Sequence, residues 1–213
     1  MRLRKATPAD LSRLRYWDSK AHVIAATGAD DSYDWASELP RDVPWREFLI
    51  AEIEGVPIGI VQVIDPADEE SHYWGEIERN LRAIDIWIGE EADLGRGYGT
   101  QMMALALDRC FADPAVKAVL IDPLASNIRA HRFYERLGFV VVRAADFRQR
   151  RLPGLSAHAR GLAAPQARRR LPMIAHHRAI RGAAIAPIVA RMAMAAVYHT
   201  VTKSGESSGQ WRA

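Results

Sequence analysis

The chain has 213 residues, 49% of them hydrophobic, which is enough to bury the core of one domain of ordinary size. Its single cysteine, Cys110, excludes an internal disulfide framework and a cysteine-based metal cluster, so we expect a reducing compartment. The N-terminus has no apolar leader segment, and no stretch of the sequence is long enough to span a bilayer. These features predict a soluble, cytoplasmic protein without a membrane partner.

The net charge of +3 conceals a division along the chain. Residues 1–147 hold 17 Lys and Arg against 25 Asp and Glu, whereas residues 148–213 hold 12 against one. A basic tail could bind nucleic acid or an anionic membrane, but this tail lacks the interleaved aromatic residues that stack on bases. We therefore expect an acidic domain at 1–147, a basic Ala- and Arg-rich extension at 148–213, and no nucleic-acid partner.

The acidic part alternates between the hydrophobic periods of strands and of helices, which predicts an α+β sheet with crossover helices. A strand is predicted at 1–7, then a helix at 8–20 with Pro8 at its first position. The next elements are strands at 48–55 and 56–65 joined by a hairpin at Glu54-Gly55, an irregular polar excursion at 66–80, a strand at 81–89, a helix ending near Cys110, a strand at 116–122, a helix at 126–138 and a strand at 139–147.

Three glycines, Gly95, Gly97 and Gly99, lie within five positions directly before a predicted helix. The first amides of a helix have no intrahelical partner and carry partial positive charge, so a backbone without Cβ atoms can wrap an anionic group there. We interpret the loop as a pyrophosphate cradle, because a simple turn would account for one glycine more readily than for three. A triphosphate loop is excluded, since Thr100 and Gln101 follow Gly99 where it needs Lys and then Ser or Thr. A dinucleotide loop, whose third glycine would fall on Thr100, stays an alternative.

Two segments carry a resemblance to a known family. The sequences LGRGYGTQMMALAL at 94–107 and DPLASNIRAHRFYERLGF at 122–139 resemble motifs A and B of the GNAT superfamily of acyl-CoA-dependent N-acetyltransferases, and within it the aminoglycoside 6'-N-acetyltransferases. The resemblance covers residues 8–147. It implies a mixed, mostly antiparallel sheet flanked by helices, with acetyl-CoA as co-substrate and no metal. It also implies acetyl transfer to a primary amine, above all an aminoglycoside 6'-amino group, and hence antibiotic resistance.

The resemblance also assigns catalytic roles to two side chains. Asp85 would take the proton of the acceptor ammonium, directly or through a water, and its aliphatic neighbours suggest burial. Tyr134 would protonate the departing thiolate, while Asn127, seven residues earlier on nearly the same helix face, would contact the pantetheine or phosphate region. The alternatives are an ordinary outward-facing strand carboxylate for Asp85 and core packing for Tyr134.

Binding residues follow from the same resemblance and from charge. A polycationic amino sugar needs several carboxylates around a cavity, although acidic loops are more often simply solvated. The candidates for the acceptor are Asp122, Glu76, the acid-rich segment 28–35 with Trp35 able to stack on a sugar, and Trp74. The candidates for the cofactor are the strand amides at Ile86, Trp87 and Ile88 and the loop residues Gly95, Arg96, Gly97, Tyr98, Gly99 and Thr100.

The basic extension leaves the expected sheet incomplete. From Phe147 to Gly205 no acidic residue occurs, and the final strand of a GNAT sheet is missing. Reading the degenerate codons for 151–160 one nucleotide later permits a sequence that resembles the family's closing strand. One hypothesis is therefore translation out of frame beyond about residue 147, and the other is a genuine extension with an amphipathic helix near 173–198.

Other functions stay open at the level of the sequence. Within the same reaction class, the acceptor could belong to a siderophore-type pathway, to small amines or to a protein. In another class, the chain would be a CoA-binding module of GNAT type without turnover. The sequence is compatible with a monomer and with a homodimer.

Overall fold

A computed structural model describes residues 1–28, 33–142 and 172–176. The strands are Arg2–Lys5 (β1), Arg46–Ile53 (β2), Val56–Ile64 (β3), Leu81–Ile88 (β4), Ala118–Ile121 (β5), Val140–Val141 (β6) and Met173–His176 (β7). The helices are Leu11–Asp18 (α1), Ala21–Thr27 (α2), Trp35–Glu38 (α3), Tyr98–Cys110 (α4) and Ile128–Arg136 (α5), with short 3-10 turns at Pro8–Asp10 and Glu91–Asp93.

The seven strands form one sheet in the order β1-β2-β3-β4-β5-β7-β6. All neighbours are antiparallel except β4 and β5, which are parallel. This confirms the predicted mixed, mostly antiparallel sheet. The predicted hairpin between β2 and β3 is also confirmed, because Glu54 and Gly55 both have positive φ angles, 52° and 83°, as a tight two-residue hairpin requires.

The parallel strands β4 and β5 pair over only part of their length. Leu81 to Ala83 on β4 lie opposite Ala118 to Leu120 on β5, whereas the pairing of β4 with β3 continues to Ile88. Beyond Ala83, the edge of β4 therefore faces a gap between the two strands. A strand edge that faces a gap presents backbone amides and carbonyls to whatever occupies it.

Hydrophobic clusters cover both faces of the sheet. One contains the buried face of α4, with Met103, Leu107 and Cys110 packed near Ile84. Another contains Trp87 together with residues of α1 and α3. Since successive residues of a strand point to opposite faces, odd-numbered positions of β4 face the side of α1 to α3 and even-numbered positions face α4.

Two helices and the end of the sheet differ from the predicted elements. The short helices α2 and α3 were not predicted, because seven and four residues show too little periodicity. Of the strand predicted at 139–147, the structure shows β6 at Val140–Val141. Residues 143–147 lie outside the described residues.

The strand β7 comes from the basic extension. It lies between β5 and β6 and is antiparallel to both, with Met173 0% and Ala175 1% exposed. The helix expected at 173–198 is therefore wrong for residues 173–176, because the alternation of buried side chains there has the period of a strand. Residues 173–176 thus form the strand of the sheet that residues 1–147 do not supply. The rest of that helix, and residues 151–160, lie outside the described residues.

Candidate active site

A cavity of about 950 Å³ opens where β4 and β5 separate. Its wall combines β4, the glycine loop before α4, α5, α2 and the middle of the excursion at 66–80. Of the predicted site residues, those that line the cavity are Trp74, Asp85, Ile86, Trp87, Ile88, Gly95, Gly97, Gly99, Thr100, Asp122, Asn127 and Tyr134.

The glycine loop presents an uncapped helix end to this cavity. Gly97 is the N-cap of α4, with φ 80°, and no side chain caps the helix. The amide of Gln101 bonds to the carbonyl of Gly97 at 3.2 Å, so the amides of Tyr98, Gly99 and Thr100 precede the first intrahelical bond. An anion placed there would meet backbone donors and the positive end of the helix dipole.

The three positions differ in why they carry glycine. Gly95 and Gly97 have φ angles of 78° and 80°, which glycine adopts without strain, and a Cβ built at either would meet no atom within 4 Å. A Cβ at Gly99 would make ordinary contacts with Phe133 at 3.6 Å and Ile88 at 3.9 Å. The turn alone thus accounts for two of the three glycines, which is more than the sequence suggested. Support for the cradle comes instead from the uncapped helix end and the cavity beside it.

Two loop residues predicted to bind the cofactor do not line the cavity. The guanidinium of Arg96 bonds to Asp93 at 3.2 Å and lies 6.0 Å from the ring centroid of Tyr98. The side chain of Tyr98 packs against the core beneath α4. The side chains of these two residues therefore do not reach into the cavity. Only their backbone amides remain candidates for binding the cofactor.

Asp85 is half-buried on the open part of β4. It lies directly opposite Gln62 of β3 and shares with Trp87 the side of the sheet that faces α1 to α3. This is a strand carboxylate that faces a cavity rather than bulk solvent. The position allows Asp85 to meet a ligand that enters the gap between β4 and β5.

Tyr134 is 9% exposed and reaches the same cavity from α5. Its ring packs against Phe133 and Phe139, at centroid distances of 5.1 and 5.8 Å. Burial raises the pKa of Tyr134 well above its usual range, and the negative charges of Asp85 and Asp122 raise it further. The phenol therefore carries its proton at neutral pH and packs in the core at the same time, so the two interpretations of this residue are compatible.

Asn127 combines a structural contact with its place in the cavity wall. It is the N-cap of α5, and its Oδ1 accepts a hydrogen bond from the amide of Ala130 at 3.0 Å. The cap explains why an asparagine stands at this position without reference to a ligand.

The other end of the cavity is acidic. Asp122, 9% exposed, follows β5 and accepts a hydrogen bond from the hydroxyl of Tyr73 at 2.5 Å. The carboxylates in the wall belong to Asp18, Glu69, Asp85 and Asp122. The wall also holds three arginines, Arg46, Arg129 and Arg136, so a cationic ligand is favoured only near the carboxylates themselves.

Two predicted acceptor residues are corrected by the structure. Trp35 is 1% exposed and packs against Tyr33 and Phe48, so its ring has no face open to a sugar. Glu76 is exposed on the excursion and does not line the cavity. Asp30 and Asp31, in the acid-rich segment, lie outside the described residues.

Several cavity residues were missed at the level of sequence. Gln62 is 2% exposed, and its Oε1 accepts a hydrogen bond from the hydroxyl of Tyr33. The Nε2 atom of His22 lies 3.0 Å from the carbonyl oxygen of Ile88. A single glutamine inside the apolar run of β3 was a usable signal for Gln62, because buried polar side chains are uncommon. Tyr33 lies in the acid-rich segment 28–35, although the residue itself was not singled out, and His22 was not predicted as a site residue.

Across residues 1–28, 33–142 and 172–176, no helix has the length and apolar character needed to cross a membrane. In the same ranges, no group of three or more His, Cys, Asp or Glu side chains could hold a metal ion.

Comparisons with known proteins agree with this geometry. Residues 6–147 match the family model described as an acetyltransferase (GNAT) domain. An aminoglycoside N(6')-acetyltransferase type 1 of Klebsiella pneumoniae is 30% identical over 145 residues, covering 64% of this chain and 72% of that protein. A kanamycin resistance protein of Rhizobium radiobacter is 36% identical over 72 residues, covering 33% of this chain and 67% of that protein.

A solved structure extends the similarity to the fold. It is an aminoglycoside acetyltransferase in complex with coenzyme A, 25% identical, with a TM-score of 0.62. The match covers 84% of this chain and 96% of that one.

Proposed function

The chain belongs to the GNAT acetyltransferase family, and from this premise we propose that it transfers an acetyl group from acetyl-CoA to the 6'-amino group of an aminoglycoside. One observation carries the proposal: Asp85, Asp122 and the buried phenol of Tyr134 line the same cavity as the uncapped N-terminus of α4. The similarity to aminoglycoside N(6')-acetyltransferases supports the choice of acceptor.

The cofactor end of the cavity suits a molecule with a pyrophosphate and an extended arm. We propose that the first amides of α4 and the loop at Gly95 and Gly97 hold the pyrophosphate. The open edge of β4 at Ile86, Trp87 and Ile88 would pair with the amide groups of the pantetheine arm, as an added strand does. When bound there, acetyl-CoA supplies the acetyl thioester.

The residues at the centre of the cavity suit proton transfer. In the proposed mechanism, Asp85 accepts the proton of the acceptor ammonium, directly or through a water, and leaves a neutral amine as nucleophile. Tyr134 donates its proton to the thiolate that departs, whose ordinary pKa is about 8.5. The phenol is protonated at neutral pH, and burial, which raises its pKa, makes it a weaker acid than an exposed phenol.

The acidic end would hold the remaining ammonium groups of the acceptor. Asp122 and Glu69 lie in the wall of the same cavity as Asp85, and Trp74 is half-buried beside them. Carboxylates arranged in this way steer a polycation toward the cavity as well as binding it. An acceptor with several amines is therefore favoured over a monoamine.

A thiol-release assay with acetyl-CoA tests the proposal. Kanamycin, spermidine and a lysine-containing peptide are offered at equal concentrations, and release of CoA thiol is followed with a chromogenic disulfide. We expect kanamycin to give the highest kcat/KM. If the peptide or spermidine is acetylated and kanamycin is not, the acceptor is of another class. If CoA protects the protein thermally but no amine is acetylated, the chain is a binding module.

A further inference from the structure

Tyr73 makes an unusual contact for a side chain with so much exposure. It is 59% exposed, yet its hydroxyl reaches the carboxylate of Asp122, a residue that is only 9% exposed. Its ring lies edge-on to that of Trp74, with centroids 5.5 Å apart. The phenol thus spans from the outer surface of the excursion to the acidic end of the cavity.

The backbone around Tyr73 is held in place independently of this contact. The carboxylate of Glu69 accepts hydrogen bonds from the amides of Ser71 at 2.6 Å and Tyr73 at 3.1 Å. The amide of His72 bonds to the carbonyl of Glu69 at 3.2 Å, and the amide of Gly75 bonds to the carbonyl of His72 at 2.8 Å. This turn presents the phenol of Tyr73 to Asp122 from a preformed position.

We infer that Tyr73 is a positioning residue of the acceptor site, whose hydroxyl orients the Asp122 carboxylate toward an ammonium group of the acceptor. The inference rests on the proposed function. A carboxylate has about four positions at which it accepts hydrogen bonds, so one bond from Tyr73 restricts its rotation and leaves capacity for a cation. A side chain already oriented loses less freedom when the acceptor binds, which strengthens binding.

At position 73, the hydroxyl group and not the aromatic ring is what the acceptor site requires. A phenylalanine there would keep the edge-on contact with Trp74 but lose the hydrogen bond to Asp122. Because Asp122 binds the acceptor and not the cofactor in this scheme, the effect is confined to acceptor affinity. The chemical step belongs to Asp85 and Tyr134, and Tyr73→Phe keeps both of these side chains and the negative charge of Asp122.

Steady-state kinetics of the full-length Tyr73→Phe variant test the inference, with kanamycin as acceptor and saturating acetyl-CoA. We expect the KM for kanamycin to rise about 10-fold, as for loss of one hydrogen bond to a charged group, with kcat unchanged within about 2-fold. In an Asp122→Asn background, Tyr73→Phe should cause no further rise, because the two residues act as a unit. The thermal shift caused by CoA should equal that of the wild type.

The matched control is Tyr16→Phe. Tyr16 is 52% exposed on α1, and its hydroxyl accepts a hydrogen bond from the ammonium group of Lys20. Neither residue lines the cavity, so the Tyr16→Phe variant should keep the wild-type KM. An unchanged KM in Tyr73→Phe, or an equal rise when Asp122 is already replaced, would overturn the inference. Wild-type turnover of kanamycin is measured in every experiment, so its absence would count against the proposed function and not against the role of Tyr73.

Discussion

At the scale of single residues, the centre of the site is a half-buried carboxylate beside a buried phenol. Asp85 stands opposite Gln62, whose amide oxygen accepts a hydrogen bond from Tyr33. The negative charge of Asp85 contributes to the raised pKa of Tyr134. The carboxylate and the phenol, which we propose as proton acceptor and proton donor, are thus held in one cavity by different elements. This is the arrangement that acyl transfer to an amine requires.

Replacing Asp85 by asparagine tests its role as base. Asp85→Asn keeps the shape of the side chain but removes the base, so kcat should fall by about 10²- to 10⁴-fold, the usual contribution of general-base catalysis. Thermal protection by CoA should be retained. Raising the pH should restore part of the rate, because more of the acceptor amine is then neutral without help.

The matched control for this substitution is Asp68→Asn. Asp68 forms a surface ion pair with Arg79 at 3.3 Å, away from the cavity, and its variant should have the wild-type kcat. Near-normal turnover of Asp85→Asn at neutral pH would show that the acceptor loses its proton elsewhere.

At the scale of elements, the cradle depends on how the loop enters α4. Gly97 adopts a left-handed conformation and leaves the N-terminus of the helix without a side-chain cap. Ser, Thr, Asp and Asn are preferred at capping positions, and a side chain of this kind would occupy these amides. An uncapped end at a cavity wall is better suited to an external anion.

Replacement of Gly97 by valine should abolish cofactor binding. Gly97→Val adds a branched Cβ at a φ of 80° and blocks the approach of a phosphate, so the thermal shift caused by millimolar CoA should disappear. Gly55→Val is the control, because Gly55 has a similar φ of 83°, an open Cβ position and no part in the cavity. Both variants should lose stability, but only Gly55→Val should keep the CoA shift. A normal shift in Gly97→Val would mean that the loop is only a turn.

The first strand is attached to the sheet by a charged network. Arg4 donates to Glu52 at 2.6 Å and to Asp10 at 2.8 Å, and Arg2 donates to Glu52 at 2.9 Å. The bond from Arg4 holds the pKa of Glu52 below its ordinary value of 4.5. Burial by itself would raise the pKa of Asp10, but bonds from Arg4 and Thr7 lower it below its ordinary value of 3.8.

These pKa values predict how stability depends on pH. A carboxylate whose pKa is lowered by folding contributes stability that is complete above its ordinary pKa and is lost as the pH falls through the lowered value. The free energy of unfolding should therefore decrease below about pH 4.5. Glu52→Gln should make this decrease shallower in urea titrations from pH 7 to 3, whereas Glu54→Gln, exposed at the hairpin, should not. Equal slopes in wild type and Glu52→Gln would contradict the network's contribution.

At the scale of the whole molecule, the basic extension takes part in the sheet of the acidic domain. We propose 1–147 as the acetyltransferase domain, in agreement with the family match over 6–147, and 148–213 as an extension that contributes β7. Met173 and Ala175 are buried in the core formed with α4. Whether this extension is encoded in the original frame is decided by the nucleotide sequence, through coding-frame statistics on either side of codon 147.

Replacing Met173 by alanine measures how much the extension contributes to the free energy of unfolding. Met173 is 0% exposed, so Met173→Ala should lower the free energy of unfolding by about 2–5 kcal/mol, the range for large-to-small core substitutions. His176→Ala, on the exposed end of the same strand, should change it by about 0.5 kcal/mol or less. Chemical denaturation gives both values. Equal stability of Met173→Ala and the wild type would show that β7 does not complete the core.

The sequence by itself determined the order of the main elements, the mixed sheet and the loop that opens α4. Strand and helix periods are local properties, and the glycines and the following apolar positions lie close together along the chain. The family resemblance added Asp85 and Tyr134, which the structure places in one cavity.

Tertiary structure alone decided which side chains share that cavity. Trp35 was expected at a sugar and lies in the core, whereas Gln62 and Tyr73 were not expected and line the wall. Composition cannot distinguish these cases, because exposure depends on elements distant in the chain that pack over a residue. The place of β7 has the same cause, since a four-residue strand is stabilised by its pairing with β5 and β6 and not by its own propensity.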